Sequence, residues 1–336
     1  MKTIIKALVR YFVDILPDGV CQRLMPLFSK VIDIDEIEER VLNNYVDKLI
    51  CDKERMLSRI IAGGKVMYIK NMVWDGSYFN IAILDNLLGL VVYSLYLGYI
   101  PVIRINENNA KAFSWDWYFK QPLLDHLALN RVKEYRILEK KRVGFSCGWI
   151  NKQTGLDYER WHFIYKTFVE LNEQTQEYID SENEQLGDLT DTLGVLMRGT
   201  DYVSLKPKGH PIQPELDEVI NKTHTILDEY SFKRIYLATE VEAYFNSIAS
   251  EFGKDSVLSN KRVYYDGKYT PGDLIGRIHF DRENDNYYKG LEYLSSMSLL
   301  SRCKGLIAGN CGGTKFAMLN SNDPFIPCYV FEKGRY

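Results

Sequence analysis

Short apolar segments that favour β-strands alternate with longer helix-periodic segments along most of the chain. Residues 66–70 form the first strand pattern, residues 80–97 a long helix pattern and residues 101–105 the next strand pattern. A strand, a crossover helix and a second strand predict a βαβ unit with parallel strands. A second alternating series begins at residue 193 and runs to residue 320. The sequence therefore predicts an α/β protein of two Rossmann-like domains that face a cleft.

The second series specifies the predicted second sheet. Its strands are predicted at residues 193–197, 234–238, 262–265 and 305–308, and its helices at residues 214–229, 241–252, 287–302 and 313–320. A polar, helix-periodic stretch over residues 156–183 predicts a connecting helix and places the boundary near residue 185. We expect an N-terminal domain over residues 1–185 and a C-terminal domain over residues 186–336.

Composition excludes several classes of protein. The chain has 336 residues, of which 46% are apolar and 26% charged, as is usual for a globular protein of about two domains. The net charge is −3, so the basic excess of nucleic-acid binding proteins is lacking. The six cysteines show neither CxxC pairs nor zinc-like spacing with histidine. We therefore expect reduced thiols, a cytoplasmic location, no secretory signal and no partner nucleic acid.

Two stretches raise the question of membrane contact. Residues 87–103 carry no charge, but they contain Gly98 and Pro101, and the pattern favours a buried helix, a turn at Gly98 and a buried strand. Residues 3–16 are amphipathic, with apolar side chains on one helical face. Two interpretations of this helix remain open: peripheral contact with the inner face of a membrane, or packing against a domain.

Ligands of open α/β sheets bind at the carboxyl ends of the strands, so the residues that follow each strand are the first candidates. The first predicted strand of the second series is followed by Arg198, Gly199, Thr200, Asp201 and Tyr202. Arginine suits bidentate contact with phosphate. A loop shaped by prolines comes next, and its Lys206, Lys208 and His210 either add positive potential or are simply solvated.

The next predicted strand ends in Thr239 and Glu240. A carboxylate there could accept both N1–H and N2–H₂ of guanine, a donor pair that uracil lacks. The alternative is that Glu240 stabilises the N-terminus of the helix that begins near residue 241. Both roles are open at this point.

The last predicted strand of the series runs into a glycine-rich turn and a helix start. Free backbone N–H groups in such a turn bind anions. The spacing is neither that of a Walker A loop nor GxGxxG. Cys311 is expected to be a small buried residue rather than a nucleophile. The candidate binding residues of this turn are Asn310, Cys311, Gly312, Gly313, Thr314 and Lys315.

No metal site and no cofactor are expected. The Asp33-Ile34-Asp35 stretch resembles the metal-binding DxD motif of some glycosyltransferases, but it precedes a helix rather than following a strand. We interpret these aspartates as helix-start acids.

The three strand ends together resemble the two-domain fucosyltransferase superfamily, which includes the rhizobial α1,6-, the α1,2- and the protein O-fucosyltransferases. The stretch from Leu196 to Asp201 matches the Arg and the Asp of its His-x-Arg-x-x-Asp motif, while Leu196 replaces the His. The strand ending in Ala-Thr-Glu at Glu240 is similar to the family's Ala-Thr-Asp strand. Residues 299–310 resemble the family's Leu-Ser-x-Cys/Ala-Asp helix and the strand after it. The likeness covers about residues 190–320, and the turn around Asp75 matches loosely.

The resemblance implies a GT-B-like, inverting, metal-independent glycosyltransferase that uses GDP-fucose as its donor. Residues 1–185 would then form the acceptor side, and residues 186–336 would bind the donor. Arg198 would stabilise the leaving diphosphate, and Asp75 is the candidate acceptor base. The acceptor would be a glycan or a lipid-linked oligosaccharide of surface-polysaccharide synthesis. Two alternatives stay open: a glycosyltransferase with a UDP- or dTDP-linked sugar, and a non-catalytic nucleotide- or sugar-binding protein of the same fold.

Overall fold

The computed structural model describes residues 2–70, 78–124, 132–148, 155–266 and 274–336. The N-terminal part begins with four helices, which precede a three-stranded sheet, and two further helices lead to the second sheet. These elements are α1 (Lys2–Ile15), α2 (Asp18–Phe28), α3 (Ile34–Cys51), α4 (Lys53–Gly63), β1 (Lys65–Ile69), α5 (Ala82–Tyr96), β2 (Ile100–Ile103), β3 (Glu134–Leu138), α6 (Gly155–Phe168) and α7 (Glu173–Leu186).

The C-terminal part alternates strands with helices, as the second series of patterns predicts. Its elements are β4 (Thr192–Met197), α8 (Asp201–Leu205), α9 (Leu216–Glu229), β5 (Arg234–Thr239), α10 (Glu242–Phe252), β6 (Val257–Leu258), α11 (Asp285–Leu300), β7 (Gly305–Gly309), α12 (Gly312–Asn320) and β8 (Cys328–Phe331).

Both sheets are parallel throughout. The first has the strand order β2-β1-β3, and the second has the order β6-β5-β4-β7-β8. Crossover helices cover such sheets on both faces, so their central strands are buried and apolar. Strand β4 is buried along its whole length and pairs with β5 on one side and β7 on the other. The predicted α/β class with two parallel, Rossmann-like sheets is confirmed.

The uncharged stretch over residues 87–103 folds as the sequence predicts. It forms the buried helix α5, a turn and the buried strand β2. Gly98 makes the turn with a φ of +81°, which side-chain-bearing residues rarely adopt. None of the helices within the described residues is both long enough and apolar enough to cross a membrane.

Three local predictions are wrong or incomplete. Residues 262–265 do not form a strand. The backbone N–H of Tyr265 donates to the carbonyl oxygen of Glu240 at 3.1 Å instead of pairing in the sheet. The strand at this edge of the sheet is β6, which pairs with β5. The connecting helix is two helices, because the Asn172 side chain accepts from the Thr175 N–H at 2.9 Å and starts a new one. Strands β3 and β8 carry no alternating pattern strong enough to predict them.

The prediction that Asp33 starts a helix is confirmed. Its carboxylate accepts a hydrogen bond from the backbone N–H of Asp35 at 2.8 Å and caps α3. An aspartate that satisfies free N–H groups in a first helical turn needs no metal ion to explain it.

The two sheets lie on either side of the expected boundary near residue 185, and their helices share a continuous core. This core joins Val41 and Leu88 of the N-terminal part with Leu294 and Phe316 of the C-terminal part. Helix α6 packs on α12, and α7 packs on α11. The chain segment over residues 155–186 therefore packs against the second sheet's helices, although it lies within the expected N-terminal domain.

A close approach between the two parts occurs at Gly290 in α11. A Cβ atom there would lie 2.5 Å from the Tyr118 hydroxyl and 2.8 Å from the Phe79 Cβ. The Tyr118 hydroxyl also donates to the Tyr287 carbonyl oxygen at 2.6 Å. The glycine at residue 290 therefore allows α11 to pack against Phe79 and Tyr118 of the N-terminal part.

We expect Gly290→Ala to lower the free energy of unfolding by about 1–3 kcal/mol, the usual cost of overpacking a core. The matched control is Gly19→Ala in α2, where an added Cβ meets nothing within 4 Å. Since alanine is the better helix former, this control should keep or slightly raise stability. Equal stability of the two variants in chemical denaturation would contradict the close approach.

Candidate active site

The ends of three neighbouring strands meet at one edge of the second sheet. Arg198 follows β4, Glu240 follows β5 and Asn310 follows β7. Because β4 pairs in parallel with both other strands, their carboxyl ends lie side by side. The Arg198 Nε lies 3.1 Å from the Glu240 Oε1, so the structure brings together the first two residues that the strand-end rule selects.

Arg198 is the buried cation of this edge. Its side chain is 15% exposed, its Nη2 donates to the Asp201 carboxylate at 2.9 Å, and its guanidinium stacks 5.0 Å from the centre of the Tyr202 ring. Burial alone would lower the pKa of Arg198, but the carboxylates of Glu240 and Asp201 raise it well above its usual value. The guanidinium is therefore permanently charged.

Glu240 holds the turn that carries Arg198. Its Oε1 also accepts from the Gly199 N–H at 3.2 Å and from the Thr200 hydroxyl at 2.9 Å. Burial would raise the pKa of Glu240, but Arg198, Arg262 and these hydrogen bonds bring it below its usual value. The carboxylate is thus charged at neutral pH. The contacts with Arg198, Gly199 and Thr200 are all made by Oε1.

The alternative role of Glu240, as the acid at the start of α10, is performed by another residue. The Asp266 carboxylate accepts from the backbone N–H of Glu242 at 2.6 Å and of Ala243 at 3.2 Å. The Thr239 hydroxyl accepts from the Val241 N–H at 3.2 Å. Thr239 is buried and shapes this turn.

Close packing requires glycine at residue 199. A Cβ atom there would lie 2.3 Å from the Tyr244 ring. The small residue lets the turn lie against α10, and this sets the direction in which the Arg198 guanidinium points.

The third strand end presents polar atoms that have no partner. Asn310 is 2% exposed, and neither its Oδ1 nor its Nδ2 has a hydrogen-bond partner within the part of the chain that the structure describes. The neighbouring Gln213 donates to the Asn310 carbonyl oxygen at 3.0 Å, while its own Oε1 also lacks a partner there. Buried amides are nearly always hydrogen-bonded, so these atoms indicate a place for a polar ligand.

Helix α12 begins directly beside Asn310, at Gly312, with Cys311 as the preceding residue. Cys311 is buried, and its sulfur lies 3.4 Å from the Thr314 hydroxyl. Thr314 donates to the Gly309 carbonyl oxygen at 2.5 Å. The turn thus offers a ligand the backbone N–H groups of a helix start, whereas the side chains of Cys311 and Thr314 are occupied within the chain.

Gly313 packs closely against helix α11. A Cβ atom there would lie 2.6 Å from the Met297 sulfur of α11. The glycines of this turn therefore allow α12 to begin close against α11, at the edge of the site.

Lys315 is a correction to the sequence analysis. Its ammonium is bound by the Asp85 carboxylate of α5 and donates to the Gly148 carbonyl oxygen at 3.0 Å. Asp85 also accepts from the Tyr165 hydroxyl at 3.2 Å. Lys315 points away from the strand ends because it lies beyond the first turn of α12, and it joins the two parts of the chain.

His210 is connected to Arg198 by Tyr202, which contacts both side chains. Its Nδ1 lies 3.1 Å from the Tyr202 hydroxyl. Burial lowers the pKa of His210 and raises the pKa of Tyr202 to about 12, so both are uncharged at neutral pH. His210 therefore adds hydrogen-bonding capacity rather than positive charge. Lys206 and Lys208 are exposed, as the solvated alternative predicts.

A cleft adjoins the strand ends and is lined by residues that the sequence analysis missed: Tyr78, Arg262, Tyr265, Lys289 and Glu292. Arg262 is a second cation beside Glu240, and its buried Nε has no partner among the described residues. Lys289 donates to the Ile278 carbonyl oxygen at 2.7 Å, and its ammonium lies 5.1 Å from the centre of the Tyr78 ring. In the sequence, this cleft was indicated by Lys289 and Glu292, which lie three residues apart in the predicted helix over residues 287–302.

Asp75, the candidate acceptor base, lies outside the described residues. Within the described ranges, no group of three or more His, Cys, Asp or Glu side chains is placed to hold a metal ion.

No protein-family model and no curated protein sequence matches this chain. The chain is similar to solved structures of fucosyltransferases, the family that its strand-end motifs resemble. The fucosyltransferase NodZ from Bradyrhizobium is 12% identical, with a TM-score of 0.44, over 76% of this chain and 94% of that one. A variant of Arabidopsis thaliana FUT1 in complex with GDP is 10% identical, with a TM-score of 0.45, over 82% of this chain and 77% of that one. POFUT1 in complex with GDP-fucose is 8% identical, with a TM-score of 0.37, over 83% of this chain and 78% of that one.

Proposed function

We propose that this chain is a glycosyltransferase that uses a nucleoside-diphosphate sugar, with GDP-fucose as the first donor to test. The observation that carries the proposal is the buried, permanently charged Arg198 beside the start of α12 and the unpartnered Asn310. A buried guanidinium and a helix start with free N–H groups are both suited to the oxygens of a diphosphate.

The reaction would be a direct displacement at the anomeric carbon with inversion. The bond between that carbon and the diphosphate oxygen breaks, and its electron pair leaves on the diphosphate. An acceptor hydroxyl oxygen forms the new bond, and its proton passes to a base. Arg198 and the α12 N–H groups would stabilise the growing negative charge, and such stabilisation is often the largest contribution to catalysis.

The base that accepts this proton is proposed to be Asp75, which precedes the cleft residue Tyr78 by three positions in the sequence. A carboxylate in the cleft would remain ionised and could take the proton as the hydroxyl attacks. The acceptor is proposed to be a glycan, either free or carried on a lipid.

Glu240 would contribute to donor recognition through its remaining oxygen. The Oε2 atom can accept from a guanine N–H, while Oε1 holds Arg198 in place. The resemblance of the strand-end motifs to fucosyltransferases also favours a guanine nucleotide.

One observation favours a second candidate, a glycosyltransferase with a UDP- or dTDP-linked sugar. The Glu240 Oε1 already receives three hydrogen bonds, and Leu196, which lines the cleft, replaces the histidine of the family motif. A site with one free acceptor and no histidine discriminates less strongly between bases.

We expect GDP to raise the thermal stability of the protein more than UDP, CMP or dTDP, and EDTA to leave this shift unchanged. A ligand that binds only the folded state stabilises it by RT ln(1 + [L]/Kd), so the order of the shifts reports the order of affinities. Thermal shift with each nucleotide checks this. A larger shift with UDP or dTDP would keep the class of enzyme and reject the guanine donor, whereas no shift with any nucleotide would reject the proposed function.

We expect Arg198→Ala to lower kcat by about 10²–10³-fold, as does the loss of one key electrostatic donor in other enzymes. The measurement is donor turnover with a glycan acceptor. Because alanine leaves Glu240 buried without its partner, stability could also fall. Arg198→Lys keeps a charge beside Glu240, and it should fold and still turn over more slowly than the native protein.

The matched control for both changes is Arg136→Ala. Arg136 lies on β3 with its side chain 64% exposed, and it should leave turnover unchanged. Near-normal turnover by a folded Arg198 variant is the result that would reject the role of Arg198.

We expect Glu240→Gln to weaken GDP binding about tenfold, equivalent to about 1.4 kcal/mol, while UDP affinity changes little. The amide oxygen of glutamine can still accept from the turn at residues 198–200, but its NH₂ group replaces the acceptor that faces guanine. Calorimetry with both nucleotides checks this, with Glu242→Gln on the exposed first turn of α10 as the control. Equal weakening of GDP and UDP would assign Glu240 to the positioning of Arg198 alone.

A further inference from the structure

Helix α1 is apolar on two faces, and only one of them is covered. Val9 and Val13 are buried and pack toward α3. The other face presents six large apolar side chains, each between 43 and 66% exposed: Ile4, Ile5, Leu8, Tyr11, Phe12 and Ile15. Single exposed apolar residues are ordinary on protein surfaces, but six on one face of one helix mark an interaction surface.

This apolar face belongs to a helix that is fixed to the rest of the protein. Arg10 binds the Glu36 carboxylate with an Nε–Oε1 distance of 2.5 Å, and Arg40 binds the Asp14 carboxylate at 2.8 Å. Both contacts join α1 to α3. The apolar face is therefore presented outward by a docked helix, and its exposure does not result from a detached terminus.

A second feature is the sign of the charge around this face. Residues 2–30 contain five lysines or arginines against two aspartates, although the whole chain carries a net charge of −3. Both aspartates are bound by cations of α3, since Asp14 pairs with Arg40 and Asp18 pairs with Lys48. Lys6, Arg23 and Lys30 are exposed.

The neighbouring helix α2 extends the apolar surface. Leu27 is 56% exposed and Val20 is 39% exposed. Apolar and aromatic side chains on one side of a helix, with lysine and arginine nearby and the acids neutralised, are what an interfacial helix requires.

We propose that the exposed face of α1, together with Val20 and Leu27 of α2, binds the surface of a membrane that contains anionic lipids. The apolar side chains would enter the boundary between headgroups and acyl chains, and Arg23 and Lys30 would face the lipid phosphates. A second copy of the chain is the weaker occupant, because a symmetric contact would bring the same cations toward each other. This proposal does not depend on the proposed donor or reaction.

The experiment is co-sedimentation of the full chain with vesicles of phosphatidylcholine, with and without phosphatidylglycerol. We expect binding to the vesicles that contain phosphatidylglycerol, weakening as salt is added. The triple variant Ile5→Ser/Leu8→Ser/Phe12→Ser should lower the bound fraction about tenfold or more, because it removes apolar groups that the bilayer would bury. Arg23→Gln/Lys30→Gln should lower binding several-fold on anionic vesicles only.

The matched control is Tyr135→Ser/Ile137→Ser, which removes two exposed apolar side chains from β3 at a different surface. It should bind vesicles like the native chain. Circular dichroism and the thermal shift with GDP should be the same in all variants, which separates a failure of this surface from a failure of the nucleotide site.

Two results would overturn the proposal. One is the absence of binding to anionic vesicles at low salt, or equal binding by the triple variant. The other is a native dimer in light scattering that the triple variant converts to a monomer, without any vesicle binding, which would assign the face to a second copy.

Discussion

The buried ion cluster of Arg198, Glu240 and Asp201 is the interaction on which the candidate site depends. A guanidinium taken out of water needs carboxylates close by, and the Glu240 carboxylate is held by three donors from residues 198–200. This arrangement requires β4 and β5 to be neighbours in register, so that their carboxyl ends coincide. It also requires glycine at residue 199, because Tyr244 occupies the space of a side chain. The result is a buried, fixed positive charge at the edge of the sheet.

The cleft beside this cluster depends on how the two parts of the chain are held together. Lys315 of α12 binds Asp85 of α5, so the helix that begins at the third strand end is tied directly to the first part. Helix α11 makes a second connection, since Gly290 lies against Tyr118 and Lys289 lies over the Tyr78 ring. The helices that border the candidate site, α11 and α12, therefore also carry contacts between the two parts of the chain.

Much of the architecture could be predicted because it follows from local burial. A strand covered on both faces is a short apolar run, and a helix on a sheet has a period near 3.6, so both appear in the sequence. The rule that ligands bind at the carboxyl ends of parallel strands then selected Arg198, Glu240 and Asn310 without any coordinates. The prediction of a strand over residues 262–265 was wrong. This segment does not pair in the sheet, and its Arg262 and Tyr265 line the cleft.

The sequence by itself determined the order of strands and helices, the residues at the strand ends and the amphipathic pattern of α1. Tertiary structure alone decided that Lys315 joins Asp85 rather than a ligand, that Asp266 rather than Glu240 caps α10, and that Arg262, Lys289 and Glu292 line the site. It also decided which face of α1 is covered by α3 and which is left exposed. The physical reason is that periodicity records whether a position is buried, whereas the partner of a buried or exposed group is set by segments far away in the chain that only folding brings together.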